Sequence, residues 1–297
     1  MSCQNLFFNL KKLATLRLSK ISGHTTELLE IQSDKPTFHV LFIPGNPGVV
    51  SYYKDFLESL YELLGGSASK WERGKLFSLQ EQIDHKVDFI KQELQNNELP
   101  VVLVGHSIGS YISLEVLRRS LEKVSYVIGL YPFLMLNPLS KQQSNIENLA
   151  ESSILSALLS FGIACLGLLP QCALKLILSK SIGSSMSDTA IDATCSHLLQ
   201  YHTIRNVLYM ALTEFRKLSE TPDWAFMREN QEKVAFLFGV DDHWGPLQMF
   251  EEISKQVPGI ALSIEREGHT HSFSCTEAGS VWVAQHVASL IEKQLSS

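Results

Sequence analysis

Leu99-Pro100-Val101-Val102-Leu103-Val104-Gly105-His106-Ser107-Ile108-Gly109 is the stretch on which the fold turns. Its first half is a continuous apolar run, the pattern of a strand buried on both faces. Beyond Gly109, Leu114, Leu117 and Leu121 recur at helical spacing within residues 111–122. Gly-x-Ser-x-Gly between a strand and a helix is the nucleophile-elbow pattern. The chain turns there so sharply that the serine is strained and its hydroxyl is lifted out of the end of the sheet. Gly105 and Gly109, two residues to either side, let strand and helix approach without side-chain clashes. The first amides of the new helix point at whatever binds in front of them.

Working outward, residues 37–43, 125–130, 233–239 and 260–265 read as further apolar strands, and residues 13–21 and 26–32 as a hairpin around Ser22-Gly23-His24. Residues 52–64, 80–95, 247–256 and 280–294 carry apolar side chains at helical spacing. Strands alternating with helices predict an α/β fold, with a mostly parallel, doubly wound sheet covered on both faces. Between residues 130 and 233 lie about a hundred residues without strand signals, far beyond the length of a plain loop. They read as a helical insertion over the carboxyl end of the sheet, where such folds bind ligands. The expected organisation is therefore a core of residues 1–135 and 232–297 with a helical cap at 136–231.

Composition narrows the functional classes. The chain has 297 residues, a formal net charge of −6, 45% hydrophobic and 19% charged residues. Without a basic stripe, the sequence does not predict a nucleic-acid partner. The five cysteines, Cys3, Cys165, Cys172, Cys195 and Cys275, are odd in number and scattered. That spacing predicts neither a disulfide framework nor a metal site and suits a reducing compartment. The first residues lack a charged segment followed by a long apolar core, so no secretory signal is expected and cytosolic exposure is the default.

A serine hydroxyl is a weak nucleophile near neutral pH and needs a base, itself held by a carboxylate. The order expected for this topology is serine, acid, histidine. Gly239-Val240-Asp241-Asp242 directly follows a strand, and the Gly-x-x-Asp spacing favours Asp242 over Asp241. Gly268-His269-Thr270-His271-Ser272-Phe273 follows the last strand and offers two bases. His271 is favoured because Phe273, two positions on, would anchor the loop; His269 stays open as the alternative. His243 adjoins the acid, and His106 reads as a structural histidine beneath the turn. The oxyanion of an acyl intermediate needs two preorganised amides. Ile108 supplies one, and Asn46 in Pro44-Gly45-Asn46-Pro47-Gly48 is the candidate for the other, since Pro47 has no amide hydrogen. No metal or organic cofactor is needed for this chemistry.

At this point the chain resembles the α/β-hydrolase superfamily and, within it, the lipid droplet-associated hydrolase family, in a plant-like form. The resemblance spans residues 36–290. It is carried by Phe42-Ile43-Pro44-Gly45-Asn46-Pro47-Gly48 with Tyr52-Tyr53, by Gln82-Ile83-Asp84-His85-Lys86, by Gly105-His106-Ser107-Ile108-Gly109-Ser110-Tyr111, and by Gly239-Val240-Asp241-Asp242-His243-Trp244. It implies Ser107, Asp242 and His271 as a triad, an ester lipid of sterol ester or acylglycerol type as substrate, and residence on lipid droplets or the endoplasmic reticulum. One departure stands out. The superfamily expects a strand between the helices at 52–64 and 80–95, yet Gly65-Gly66-Ser67-Ala68-Ser69-Lys70-Trp71-Glu72-Arg73-Gly74-Lys75 has no apolar run. This looks like an internal deletion, as in a splice form, and predicts a sheet short of one strand with a hairpin that must re-pair or detach.

From Ile154 to Leu169 no charged residue occurs, and after Pro170-Gln171 the apolar pattern resumes. The run is short of the roughly twenty residues of a bilayer span. Segment 154–179 reads either as a helical hairpin dipping into a droplet monolayer or as a cap helix buried over the site. Two functions compete accordingly: a serine ester hydrolase working at a droplet surface through an acyl-enzyme, or a droplet adaptor that keeps a hydrolase body with little turnover. Transacylation is a variant of the first.

Overall fold

The computed structural model describes residues 14–65, 78–94, 99–181 and 186–296. The amino-terminal strands β1 (Thr15–Ile21) and β2 (His24–Glu30) form an antiparallel hairpin. Five strands follow: β3 (His39–Ile43), β4 (Val101–His106), β5 (Val124–Leu130), β6 (Val234–Gly239) and β7 (Ala261–Glu265). They form one sheet in the order β3-β4-β5-β6-β7, every neighbouring pair parallel. Helices α1 (Lys54–Leu63), α2 (Leu79–Glu93) and α3 (Ile108–Arg119) lie in the first half of the chain. Between β5 and β6 run α4 (Lys141–Glu151), α5 (Ser153–Leu166), α6 (Gln171–Ser181), α7 (Asp188–Ala193), α8 (Tyr201–Leu218) and α9 (Trp224–Glu229). Helices α10 (Leu247–Gln256) and α11 (Glu277–Leu295) complete the chain.

Alternation along the strands divides the core into two layers, because successive side chains point to opposite faces. Val40, Phe42, Val102, Val104, Ile128 and Leu237 pack with α1 and α11 on one face. Leu41, Ile43, Leu103, Val127, Phe236 and Phe238 pack with α2, α3 and α10 on the other. Strands β3, β4 and β6 are buried along their whole length, as continuous apolar runs require.

Residues 66–77, which include the segment read as lacking a strand, lie outside the described residues. Among the described residues β4 is the sheet neighbour of β3, and the hairpin is a separate two-stranded sheet. The hairpin is tied down at its flank: the Arg17 guanidinium reaches Glu93 at 3.1 Å and Glu30 at 3.0 Å, and Ser19 Oγ donates to Glu93 at 3.0 Å. Ile21 and Leu28 are fully buried in the core. Detachment from the main sheet thus leaves the hairpin docked on α2.

The insertion contains a helix turned inside out. In α5 the buried residues are Ser156 and Ser160, whereas Ile154 is 72%, Leu158 63% and Phe161 65% exposed. Ser160 can be buried because its hydroxyl donates to the Ser156 carbonyl at 2.7 Å. Leu168, just beyond the helix, is 85% exposed, and Leu176 and Ile177 of α6 are also exposed. The segment is therefore not a buried cap helix in this structure. No single helix among the described residues is long and apolar enough to cross a membrane. Helix α8 joins insertion to core: Ile204 and Leu208 pack with Ala150 of α4, while Ala211, Phe215 and Leu218 enter the main core.

Candidate active site

Ser107 sits between β4 and α3 with φ 55° and ψ −123°, a region that L-residues rarely adopt. Backbone bonds to the segment around β5 hold it there. Its N–H donates to the Leu130 carbonyl at 2.9 Å, and its carbonyl accepts from the Phe133 N–H at 3.1 Å. Because the turn is completed in one residue, α3 begins at Ile108, three residues before the apolar spacing predicts. The glycines are sterically required. A Cβ on Gly105 would lie 2.3 Å from the Gly109 carbonyl oxygen, and one on Gly109 would lie 2.1 Å from that of Ile43. The loop after β3 also meets the elbow closely, for a Cβ on Gly45 would stand 2.9 Å from the Ser107 Cβ. A tight turn closes that loop, the Gly48 N–H donating to the Gly45 carbonyl at 2.6 Å. Asn46 follows Gly45 in that loop, as Ile108 follows Ser107 in the elbow.

The carboxylate and imidazole come from the ends of β6 and β7. Asp242 is buried, whereas Asp241 is exposed. The His271 Nδ1 lies 2.9 Å from Asp242 Oδ2, and the Trp244 N–H donates to Asp242 Oδ1 at 2.8 Å. Both carboxylate oxygens are used, which fixes the carboxylate plane and with it the imidazole. His269 turns away: its ring faces Trp282, with centroids 5.8 Å apart. The Ser107 hydroxyl and the His271 ring are not joined by a hydrogen bond in this structure.

Tyr53 and Tyr131, which spacing alone did not single out, hold this site together with His106 and Phe273, read from the sequence as a structural histidine and a loop anchor. Tyr53 Oη lies 2.7 Å from His106 Nδ1 and accepts from the Gly45 N–H at 3.3 Å. His106 Nε2 lies 2.9 Å from the His271 carbonyl oxygen. A carbonyl only accepts, so His106 carries its proton on Nε2 and accepts from the tyrosine on Nδ1. Burial holds the His106 pKa well below its ordinary value, and the nearby His271 adds to the effect. His106 is thus a neutral strut from elbow to base loop. Tyr131, itself at φ 46°, donates from Oη to the His269 carbonyl at 3.4 Å and stacks on Phe273 at 5.5 Å. Phe273 is fully buried among Tyr53, Phe56, His106 and Tyr131. The Tyr52-Tyr53 pair and Tyr131-Pro132 beside strand ends were the available signals.

A family profile described as lipid-droplet associated hydrolase matches residues 36–274. The chain belongs to that family. Relatives named lipid droplet-associated hydrolase include the Dictyostelium discoideum protein, 28% identical over 282 residues with 85% of this chain and 88% of that protein covered. The Gallus gallus protein is 27% identical over 263 residues, with 80% of each chain covered. Among solved structures, a soluble variant of Saccharomyces cerevisiae monoglyceride lipase superposes with a TM-score of 0.64 at 13% identity, covering 95% of this chain and 96% of its own. Vigna radiata epoxide hydrolase superposes at 0.68 and 15% identity, covering 94% and 98%. These likenesses show the α/β-hydrolase fold.

In this family member the insertion is bonded to the loop after β3. Asn46 Nδ2 donates to the Val207 carbonyl of α8 at 2.9 Å. The Asn46 side chain also interacts with the carboxyl group of Glu214, two turns further along the same helix. Glu214 is buried, and burial raises its pKa to about 8, the Asn46 contact offsetting only part of that effect. Phe215, the next residue, has its ring 6.4 Å from Trp244, and the Trp244 ring is 6.3 Å from His271. Among the described residues no group of three or more His, Cys, Asp or Glu side chains is arranged to hold a metal ion.

Proposed function

We propose that this chain is a serine ester hydrolase that cleaves lipid esters, of sterol ester or acylglycerol type, at the surface of lipid droplets. The observation that carries this reading is the strained Ser107 elbow, flanked by a glycine-rich loop and joined through His106 to the Asp242–His271 pair. Ser107 Oγ attacks the ester carbonyl while His271 Nε2 takes its proton, and Asp242 steadies the resulting imidazolium through Nδ1–H. The tetrahedral oxyanion receives the amides of Ile108 and Asn46. Collapse expels the alcohol, which takes the proton from His271 and leaves an acyl group on Ser107. Water, deprotonated by the same histidine, then releases the fatty acid.

Residues 136–231 serve in this reading as a cap, and segment 154–179 as its contact with the droplet monolayer. The inverted α5 supports that role, since an apolar outer face gains free energy on leaving water. The same exposed face favours a second reading, in which the protein is a droplet adaptor with little turnover. A fluorophosphonate serine probe separates the two, applied to the purified chain and to Ser107→Ala. Labelling that disappears in Ser107→Ala supports the hydrolase. Absence of labelling in a chain with a cooperative unfolding transition refutes it, and droplet binding unaffected by Ser107→Ala would then leave the adaptor.

A further inference from the structure

Glu214 carries chemistry that the cleavage steps above do not use. It is 4% exposed, and its Oε1 has no hydrogen-bond partner. Its place is fixed from two sides. The Asn46 side chain interacts with its carboxyl group, one residue from the Gly45 that abuts Ser107. Phe215, next in sequence, leads through Trp244 to His271. Glu214 therefore faces the loop after β3, the loop whose Gly45 meets the Ser107 elbow.

A polar oxygen held from water without a partner is costly, and the cost is removed by a ligand that pairs with it. The ester function cannot do so by donation, because an ester group has no hydrogen-bond donor. A free hydroxyl on the alcohol part of the substrate can. Resting on the hydrolase reading above, we propose that Glu214 Oε1 receives a hydroxyl group of the substrate, so that the site selects partial esters of polyols, such as monoacylglycerols, over esters whose alcohol bears no hydroxyl. Oε1 accepts from such a hydroxyl in either protonation state, as the carbonyl oxygen of the acid that burial favours or as a carboxylate oxygen. A site built around a hydroxyl rejects the analogue that lacks it, since the protein group is then left unpaired.

The test measures binding rather than turnover, in the Ser107→Ala chain, by isothermal titration calorimetry. 1-Decanoylglycerol and methyl decanoate, both below their aggregation limits, are titrated against this chain and against the same chain carrying Glu214→Leu or Glu214→Gln. The expected result is a preference for the glycerol ester of about tenfold, lost with Glu214→Leu and partly kept with Glu214→Gln, whose amide still accepts. Equal affinity for the two esters with Glu214 present, or a preference that Glu214→Leu leaves unchanged, overturns the proposal. If Glu214→Leu does not fold, Glu214→Gln decides: an altered preference supports the assignment and an unaltered one overturns it. Fluorophosphonate labelling of Ser107 is read on the unmodified chain, so failure of the hydrolase reading and failure of this one are distinguished.

Discussion

Replacing Glu214 by glutamine should stabilise the protein, and increasingly so as the pH rises. The folded state raises the pKa of this group from an ordinary 4.5 to about 8, chiefly through burial. A raised carboxyl pKa means that folding favours the protonated form. Stability is thus highest below the unfolded-state value and is lost as pH rises through the folded-state value. At about 1.4 kcal/mol per pKa unit, the loss at pH 7 is about 3 kcal/mol and approaches about 5 kcal/mol above pH 8. Glutamine has nearly the same shape and can keep a contact with Asn46, but it has no charge to desolvate. The difference in melting temperature between Glu214→Gln and the unmodified chain should be small at pH 5 and about 6 °C at pH 7, taking about 2 °C per kcal/mol for a chain of this size. Scanning calorimetry from pH 5 to 9 gives both curves, and the difference between them isolates this group from every other titration. Parallel curves across that range would refute the reasoning, for they would mean that water reaches the carboxyl group.

Tyr53→Phe keeps the ring against Phe42 but removes the hydroxyl between Gly45 and His106. It should lower kcat roughly tenfold with little change in KM, and lower the melting temperature by about 2–6 °C because the buried Gly45 N–H and His106 Nδ1 lose their partner; steady-state kinetics on a soluble ester and a thermal melt would read the two. His271→Ala should reduce turnover by about a thousandfold or more, while His269→Ala, whose ring faces Trp282, should leave most of it; equal losses would reverse the assignment of the base. Leu158→Glu with Phe161→Glu should weaken flotation with phospholipid-coated triolein droplets roughly tenfold or more. Cleavage of a soluble ester should be unchanged by that pair, since both side chains face outward.

The elements nearest Ser107 were legible because their physics is local. Gly105 and Gly109 announce a close approach, and the continuous apolar runs of β3, β4 and β6 announce strands buried on both faces. The order Ser107, Asp242, His271 follows from where the strands end, and the Asp242–His271 bond favours His271 over His269 as the base. What was not legible depends on distant partners. Tyr53 and His106 are 53 residues apart, and His106 and His271 are 165 apart. No spacing rule reaches so far. Glu214 sits in an ordinary amphipathic pattern, and its burial comes from the tertiary packing of α8. The exposure of α5 was equally hidden, because an apolar helix reads the same whether its serines or its leucines face inward.

The bond from Asn46 to the Val207 carbonyl has a bearing on how such enzymes can be altered. In hydrolases of this architecture the insertion is tempting to treat as an exchangeable module that is swapped to change what the scaffold accepts. Here it also supplies a strut to the loop beside Ser107. An insertion grafted from elsewhere would have to reproduce one carbonyl at one height on one helix, or the loop would lose its support along with its old lining. Selectivity in this scaffold is therefore more readily changed residue by residue along α8 than by transplanting the whole insertion.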